Sequence, residues 1–111
     1  MIESEVRKLI KEYLVKSGWF VFHVHQQGYM AYKGISDYIA VKNGKVIFIE
    51  CKKLGGKQSP DQLKFEDNVV SHGGIYLCCD SLEKLQRQLH EVPTGISRRA
   101  SDSAACNGSY A

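Results

Sequence analysis

The chain of 111 residues carries 15 Lys and Arg against 12 Asp and Glu, a formal net charge of +3, and 43% of its residues are hydrophobic. This length fits one small domain with the composition of an ordinary globular protein. Because no apolar run approaches the ~20 residues of a membrane span and the charged start is unlike a signal peptide, we expect a cytoplasmic protein. The four cysteines lack zinc-ligand spacing, so neither structural zinc nor a disulfide framework is expected.

Residues 2–17 place apolar side chains at the i, i+3, i+4 and i+7 spacing of an amphipathic helix, and Gly18 stands at the expected C-cap. The predicted buried stripe is Ile2, Val6, Leu9, Ile10, Tyr13 and Leu14. At 100° per residue, Glu3 lies about 60° from the centre of this stripe and Glu5 about 100°. Glu3 is therefore the better placed to face the interior, although acidic residues also favour helix N-termini for the dipole alone.

Aromatic and β-branched residues predict a first strand at Trp19–His25, in which His23 and His25 share a face. The loop that follows, residues 26–34, combines aromatic side chains with a lysine. Such side chains can stack on nucleic-acid bases or pack against the domain, and both interpretations stay open. Lysines also crowd the segments around residues 42–64, as in proteins that bind phosphate backbones. The candidate DNA contacts are His23, Tyr29, Tyr32, Lys33, Lys53 and Lys57.

A β-hairpin is predicted around Asn43-Gly44, because a type I′ turn needs φ > 0 at both central positions and this pair tolerates it. The two predicted strands are Asp37–Val41 and Lys45–Lys53. If Asn43 and Gly44 form the turn, the register places Asp37 opposite Glu50, with Cβ atoms about 4.5–5.5 Å apart. Two carboxylates would then meet at the open end of an otherwise apolar hairpin.

Like charges directly opposite each other destabilise a strand pair, and a buried carboxylate needs a partner or takes up a proton. A divalent cation between Asp37 and Glu50 would resolve both problems. Lys52 follows two residues after Glu50, so its ammonium group falls on the same face. A Glu-x-Lys at a strand end is usually a solvated edge, but the opposed aspartate favours phosphodiester chemistry with a hard cation. The expected metal ligands are Asp37, Glu50, the backbone carbonyl of Cys51 and, less firmly fixed by position, Glu3.

The second half of the chain predicts a helix, a strand and a helix. Ser59 is expected to cap the first of these helices, with Pro60 at N1 and Gln62 completing a Ser-x-x-Gln capping box. Gly73-Gly74 ends that helix, residues 75–79 form a strand, and Asp80 or Ser81 caps the last helix. The strands on either side of the capped helix should be parallel. Residues 1–91 are expected to form the domain and 92–111, rich in Ser, Gly and Ala, a flexible tail.

These motifs together resemble the PD-(D/E)xK nuclease signature, namely Asp37 followed thirteen residues later by Glu50-Cys51-Lys52. Their surroundings are similar to the VRR-NUC branch, whose Gly-x-Pro-Asp motif resembles Gly34-Ile35-Ser36-Asp37, with Ser36 where proline is usual. The family's glycine-rich loop and Ser-Pro-x-Gln motif resemble residues 55–62, and its helix glutamate resembles Glu3-x-x-Val6. The resemblance covers about residues 1–90.

The resemblance implies an α/β fold with an αβββαβ core and a mixed sheet, and a Mg²⁺- or Mn²⁺-dependent endonuclease. Asp37, Glu50, Lys52, Glu3 and Gln62 would be its catalytic residues, with Gln62 orienting water or phosphate. It further implies cleavage of branched DNA, such as Holliday junctions, by a homodimer, acting in a bacterial host if the chain is phage-encoded. Two alternatives stay open: a flap or duplex nuclease, and a non-catalytic nucleic-acid-binding module on the same fold.

Overall fold

The computed structural model describes residues 2–24 and 32–92. Its elements are α1 (Glu3–Lys16), β1 (Phe20–His23), β2 (Tyr38–Lys42), β3 (Lys45–Cys51), α2 (Pro60–Ser71), β4 (Ile75–Cys79) and α3 (Leu82–Glu91). This order confirms the predicted α/β class and αβββαβ core. Within the described ranges no helix is long and apolar enough to cross a membrane. The predictions for His25, Tyr29 and the tail from residue 93 onward fall outside the described residues.

The four strands form one mixed sheet in the order β1-β2-β3-β4. β2 is antiparallel to both β1 and β3, and β3 runs parallel to β4 with α2 between them in the chain. The parallel pairing predicted for these two strands is confirmed. Their carboxyl ends therefore lie at the same edge of the sheet, where Cys51 pairs with Cys79.

The hairpin turn has φ of 52° at Asn43 and 78° at Gly44, so both central residues adopt the left-handed conformation that a type I′ turn requires. The predicted register is confirmed from Lys42↔Lys45 down to Tyr38↔Ile49. The ladder ends there, and Asp37 lies one residue beyond it. The prediction that Asp37 faces Glu50 as a paired strand residue was therefore wrong in its local geometry.

The reason for this difference is a side chain that replaces a backbone group. If the ladder continued, a backbone carbonyl of the β2 strand would accept the hydrogen bond from the Cys51 N–H. The Asp37 carboxylate accepts it instead, at 2.8 Å. The preceding Ser36 is fully buried, and its hydroxyl donates to the Tyr38 carbonyl at 3.1 Å. These two bonds fix the chain as it enters β2.

The main core lies between one face of the sheet and the two helices α1 and α3. Ile10 and Leu14 of α1 and Leu85 of α3 are fully buried there with inward side chains of β3. The predicted α1 stripe is correct at Val6, Ile10 and Leu14 but wrong at two positions. Leu9 is 36% exposed, and Ile2 is 63% exposed because it precedes the helix as its N-cap. The opposite face of β3 and β4 is covered by α2.

Candidate active site

Glu50 is the most deeply buried charged side chain among the described residues, with only 1% of its surface exposed. Its Oε2 accepts a hydrogen bond from Gln62 Nε2 at 2.9 Å and lies 3.5 Å from Lys52 Nζ. Its Oε1 is buried and has no hydrogen-bond partner among the described residues. A buried carboxylate oxygen without a partner costs free energy, and a cation or hydrogen-bond donor bound at Oε1 would lower that cost.

Burial and the charge of Asp37 raise the pKa of Glu50 to about 7, although Lys52 acts in the opposite direction. The pKa of Asp37 is also raised, mainly by burial, while its hydrogen bond from Cys51 and the charge of Arg7 lower it. The charge of Asp37 thus disfavours the ionised form of Glu50. A cation between them would reverse that effect.

Gln62 holds one end of α2 and one oxygen of Glu50 at the same time. Its Oε1 accepts from the Ser59 N–H at 2.8 Å, and the Ser59 hydroxyl accepts from the Gln62 N–H at 3.2 Å. Because this capping box occupies the amide oxygen, the amide nitrogen is the atom that faces Glu50. The two explanations for this glutamine left open by the sequence, a helix cap and a site residue, are compatible in the structure.

Gly34 joins the loop that carries Asp37 to the first turn of α2. Its φ is +82°, and a Cβ atom built there would lie 2.2 Å from the Asp61 carbonyl oxygen and 2.8 Å from the Gln62 nitrogen. Any side chain at this position would force the loop and the helix apart. The glycine is therefore required both for its backbone conformation and for this close approach.

Glu3 stands near the two carboxylates but is engaged elsewhere. Its carboxylate pairs with Arg7 one turn along α1 at 3.2 Å, and its charge contributes to the raised pKa values of Asp37 and Glu50. Glu5 accepts from the Ile2 N–H at 2.9 Å and so caps the helix. Of the two acids that the sequence offered, Glu3 is the one whose charge acts on the site.

The donor atoms fit a hard divalent cation that keeps several waters. Among the described residues, no three His, Cys, Asp or Glu side chains are grouped closely enough to hold a metal ion. The candidate metal ligands are instead the carboxylates of Asp37 and Glu50 and the backbone carbonyl of Cys51. This carbonyl points to the same side of the strand as the Cys51 N–H, which donates a hydrogen bond to Asp37. Mg²⁺ is commonly bound through one or two carboxylates with water and phosphate oxygens, and the unpartnered Glu50 Oε1 would be a ligand.

Comparison with known proteins agrees with this geometry. No protein-family model matches the chain. It is 34% identical over 82 residues, 67% of this chain and 87% of the relative, to a protein named "Putative nuclease p44" from Acyrthosiphon pisum secondary endosymbiont phage 1. A solved structure described as a VRR_NUC domain matches with a TM-score of 0.69 and 22% identity, covering 82% of this chain and 97% of that one. The chain belongs to the family of this phage nuclease and has the fold of a VRR_NUC domain.

The candidate DNA contacts of this VRR-NUC domain are spread around the site. His23 packs its ring against Tyr38 at a centroid distance of 5.2 Å, and its charge lowers the pKa of Asp37. Tyr32 is 57% exposed and meets Phe65 edge-on. Three lysines are exposed on the loops before β2 and after β3, namely Lys33, Lys53 and Lys57.

Two side chains near the VRR-NUC site were missed by sequence reasoning. Arg7 acts electrostatically on Asp37, and its position four residues after Glu3 was the available signal, because such pairs meet on a helix. Gln58 donates to Glu66 Oε1 at 3.0 Å and to the Tyr76 hydroxyl at 3.2 Å. No spacing rule indicates those contacts, because they join a loop, a helix and a strand.

The close approach at Gly34 gives a testable prediction for stability. Gly34→Ala should lower the free energy of unfolding by about 1–3 kcal/mol more than Gly55→Ala, since overpacking adds to backbone strain. Gly55 is the matched control, because its φ is +76° and nothing lies within 4 Å of a Cβ built there. Urea unfolding measures both variants, and equal losses would contradict a tight contact between the Asp37 loop and α2.

The raised pKa of Glu50 predicts a pH-dependent stability. A carboxyl whose pKa rises on folding from 4.5 to about 7 stabilises the metal-free fold at low pH, and this contribution is lost as the pH rises through 7. In EDTA, the melting temperature of the wild type should fall between pH 5 and pH 8 by about 5 °C more than that of Glu50→Gln. Glu12→Gln, at an exposed position of α1, should fall as the wild type does. Parallel curves for Glu50→Gln and wild type would refute the prediction.

Proposed function

We propose that this VRR-NUC domain is a Mg²⁺- or Mn²⁺-dependent endonuclease that hydrolyses phosphodiester bonds of DNA. The observation that carries the proposal is the buried Glu50, whose Oε1 lacks a partner while Asp37 and Lys52 flank the same carboxylate. Only a ligand that brings positive charge removes the cost of holding both acids ionised. A divalent cation held by one or two carboxylates commonly binds phosphate oxygens as further ligands, which suits a phosphodiester substrate.

The bound cation would act as a Lewis acid on the phosphate and lower the pKa of water. Asp37, Glu50 and the Cys51 carbonyl would hold it, and the hydrogen bond from Gln62 orients the Glu50 carboxylate. Lys52 positions the attacking water or stabilises the negative charge that develops on the phosphoryl oxygens. In the hydrolysis, the attacking water would lose one proton to solvent and its oxygen would bond to phosphorus. The bond from phosphorus to the leaving sugar oxygen would break, and that oxygen would take up a proton from solvent.

The proposed substrate is branched DNA, with a Holliday junction as the first candidate and a homodimer as the acting species. A junction has two symmetric cleavage points, and a two-fold dimer supplies one centre for each. The small domain offers a limited DNA footprint by itself, which agrees with two copies sharing the substrate. The phage origin of its relative fits action in the cytoplasm of a bacterial host.

Cleavage of labelled DNA tests this function. A four-way junction, a flap and a matched linear duplex are incubated with Mg²⁺, Mn²⁺ or EDTA. We expect metal-dependent cutting of the junction over the other two, abolished in Asp37→Ala and Glu50→Ala, which keep DNA binding because neither substitution removes a cation. Mn²⁺ should also raise the melting temperature of the wild type and leave that of Asp37→Ala unchanged. Cutting of flaps or duplex would overturn the choice of substrate, and binding without cutting under every metal would indicate a non-catalytic module.

Lys52→Ala separates the metal ligands from the residue that acts on the substrate. Its turnover should fall by at least about 100-fold, the usual loss when one transition-state donor is removed. Its affinity for Mn²⁺, measured by calorimetry, should remain within a few-fold of wild type because the carboxylates are intact. Lys11→Ala, at an exposed position of α1 that is not a candidate DNA contact, is the control for loss of a positive charge. A collapse of metal binding in Lys52→Ala would instead make Lys52 a structural partner of Glu50.

A further inference from the structure

A groove lies beside the proposed catalytic centre, on the outer side of the first turns of α2. Its volume is about 290 Å³, at the small end of ligand sites. Its lining residues are Tyr32, Lys33, Asp61, Lys64 and Phe65. Three of them share one face of α2, because they stand at i, i+3 and i+4.

The groove is coupled to the catalytic residues through the backbone. Asp61 is the residue before Gln62, whose amide holds Glu50. The Asp61 carbonyl is also the atom that approaches Gly34 most closely. A group bound in this groove therefore sits within one residue of the side chain that orients the proposed metal ligand.

The aromatic part of the groove is a fixed platform. The ring of Tyr32 is 57% exposed and meets Phe65 edge-on at 5.7 Å. Phe65 in turn contacts Phe48 at 5.7 Å and Tyr76 at 6.1 Å, so the platform is continuous with the outer face of the sheet. A ring supported from one side and exposed on the other suits stacking against a planar base.

The polar groups complete the features needed to bind a nucleotide. Lys33 and Lys64 supply cations for phosphate oxygens, and the Asp61 carboxylate can accept a hydrogen bond from an exocyclic amine of a base. A base inside a duplex presents neither its face nor its Watson–Crick edge to such a groove. The groove also has room for about one nucleotide and none for a helix.

We propose that this groove binds one unpaired nucleotide next to the cleavage point, with Tyr32 stacking on its base. The inference rests on the proposed DNA endonuclease and gives it a physical basis for choosing branched substrates. The bases of a flap are already unpaired, and a base pair beside the branch point of a junction opens at a lower free-energy cost than one inside a continuous duplex. A continuous duplex is therefore bound less tightly than either branched substrate.

Fluorescence of 2-aminopurine, placed as a single unpaired nucleotide in an otherwise duplex oligonucleotide, tests the stacking. The binding assay uses full-length protein carrying Asp37→Ala, in EDTA. Binding should quench the fluorescence, and adding Tyr32→Ala should remove the quenching and weaken affinity about tenfold, whereas Tyr32→Phe should retain both. Phe20→Ala removes a ring that is 65% exposed on β1, outside the groove, and should leave both unchanged. Equal quenching and affinity in the Tyr32→Ala and Phe20→Ala proteins would overturn the site.

The phosphate contact has its own readout. Lys64→Ala should reduce the slope of log affinity against log salt by about one for the same oligonucleotide. Lys11→Ala, an exposed lysine of α1, is the matched control and should leave the slope unchanged. In cleavage-competent protein, Tyr32→Ala should lower the ratio of branched to duplex cutting. Because the binding assay needs no turnover, a wild type that never cuts would refute the nuclease proposal alone, and unaltered binding in Tyr32→Ala would refute the groove alone.

Discussion

The burial of a carboxylate beside a second carboxylate is the constraint on which the rest of the site depends. Glu50 lies on β3 between two neighbouring strands, and Ile47 and Ile49 on the other face of this strand are fully buried in the core. Every nearby polar contact then compensates part of the electrostatic cost, from Lys52 at 3.5 Å to the Gln62 amide at 2.9 Å. The compensation is incomplete at Oε1. The burial of Glu50 thus lowers the stability of the fold at a place where a bound cation would restore it.

Local rules were sufficient for the parts of the fold that they govern. The Asn43-Gly44 turn fixed the register of its hairpin because only left-handed backbone fits a type I′ turn. The Ser59 capping box correctly located the start of α2, because Ser59 and Gln62 satisfy each other's backbone N–H groups only at a helix N-terminus. The local patterns at Asp37 failed by a single residue, because its side chain replaced a backbone carbonyl as the partner of Cys51. Alternation along a strand contains no information about where the ladder ends.

The relations between elements were beyond such rules. Helix spacing was sufficient to indicate the pairing of Glu3 with Arg7, although Arg7 was missed. The effect of Arg7 on Asp37 depends instead on how α1 packs across the sheet. The contact between Gly34 and the Asp61 carbonyl joins residues 27 positions apart in the chain and leaves no periodic pattern. The resemblance to VRR-NUC proteins identified Gly34 as part of a motif without a reason, and the structure supplies the steric cause.

The first turn of α2 connects the proposed nucleotide groove with the proposed metal site. Its Gln62 side chain is held by the Ser59 cap on one side and holds Glu50 on the other, while Asp61 and Lys64 face the groove beneath Tyr32. A nucleotide bound there acts on a turn that Gly34 already presses against the Asp37 loop. Small displacements of this turn change the position of the Glu50 carboxylate, because a hydrogen bond of 2.9 Å tolerates little movement. If the groove binds an unpaired base as proposed, its binding energy would improve the geometry of the proposed metal ligands, and a substrate without such a base would lose rate as well as affinity.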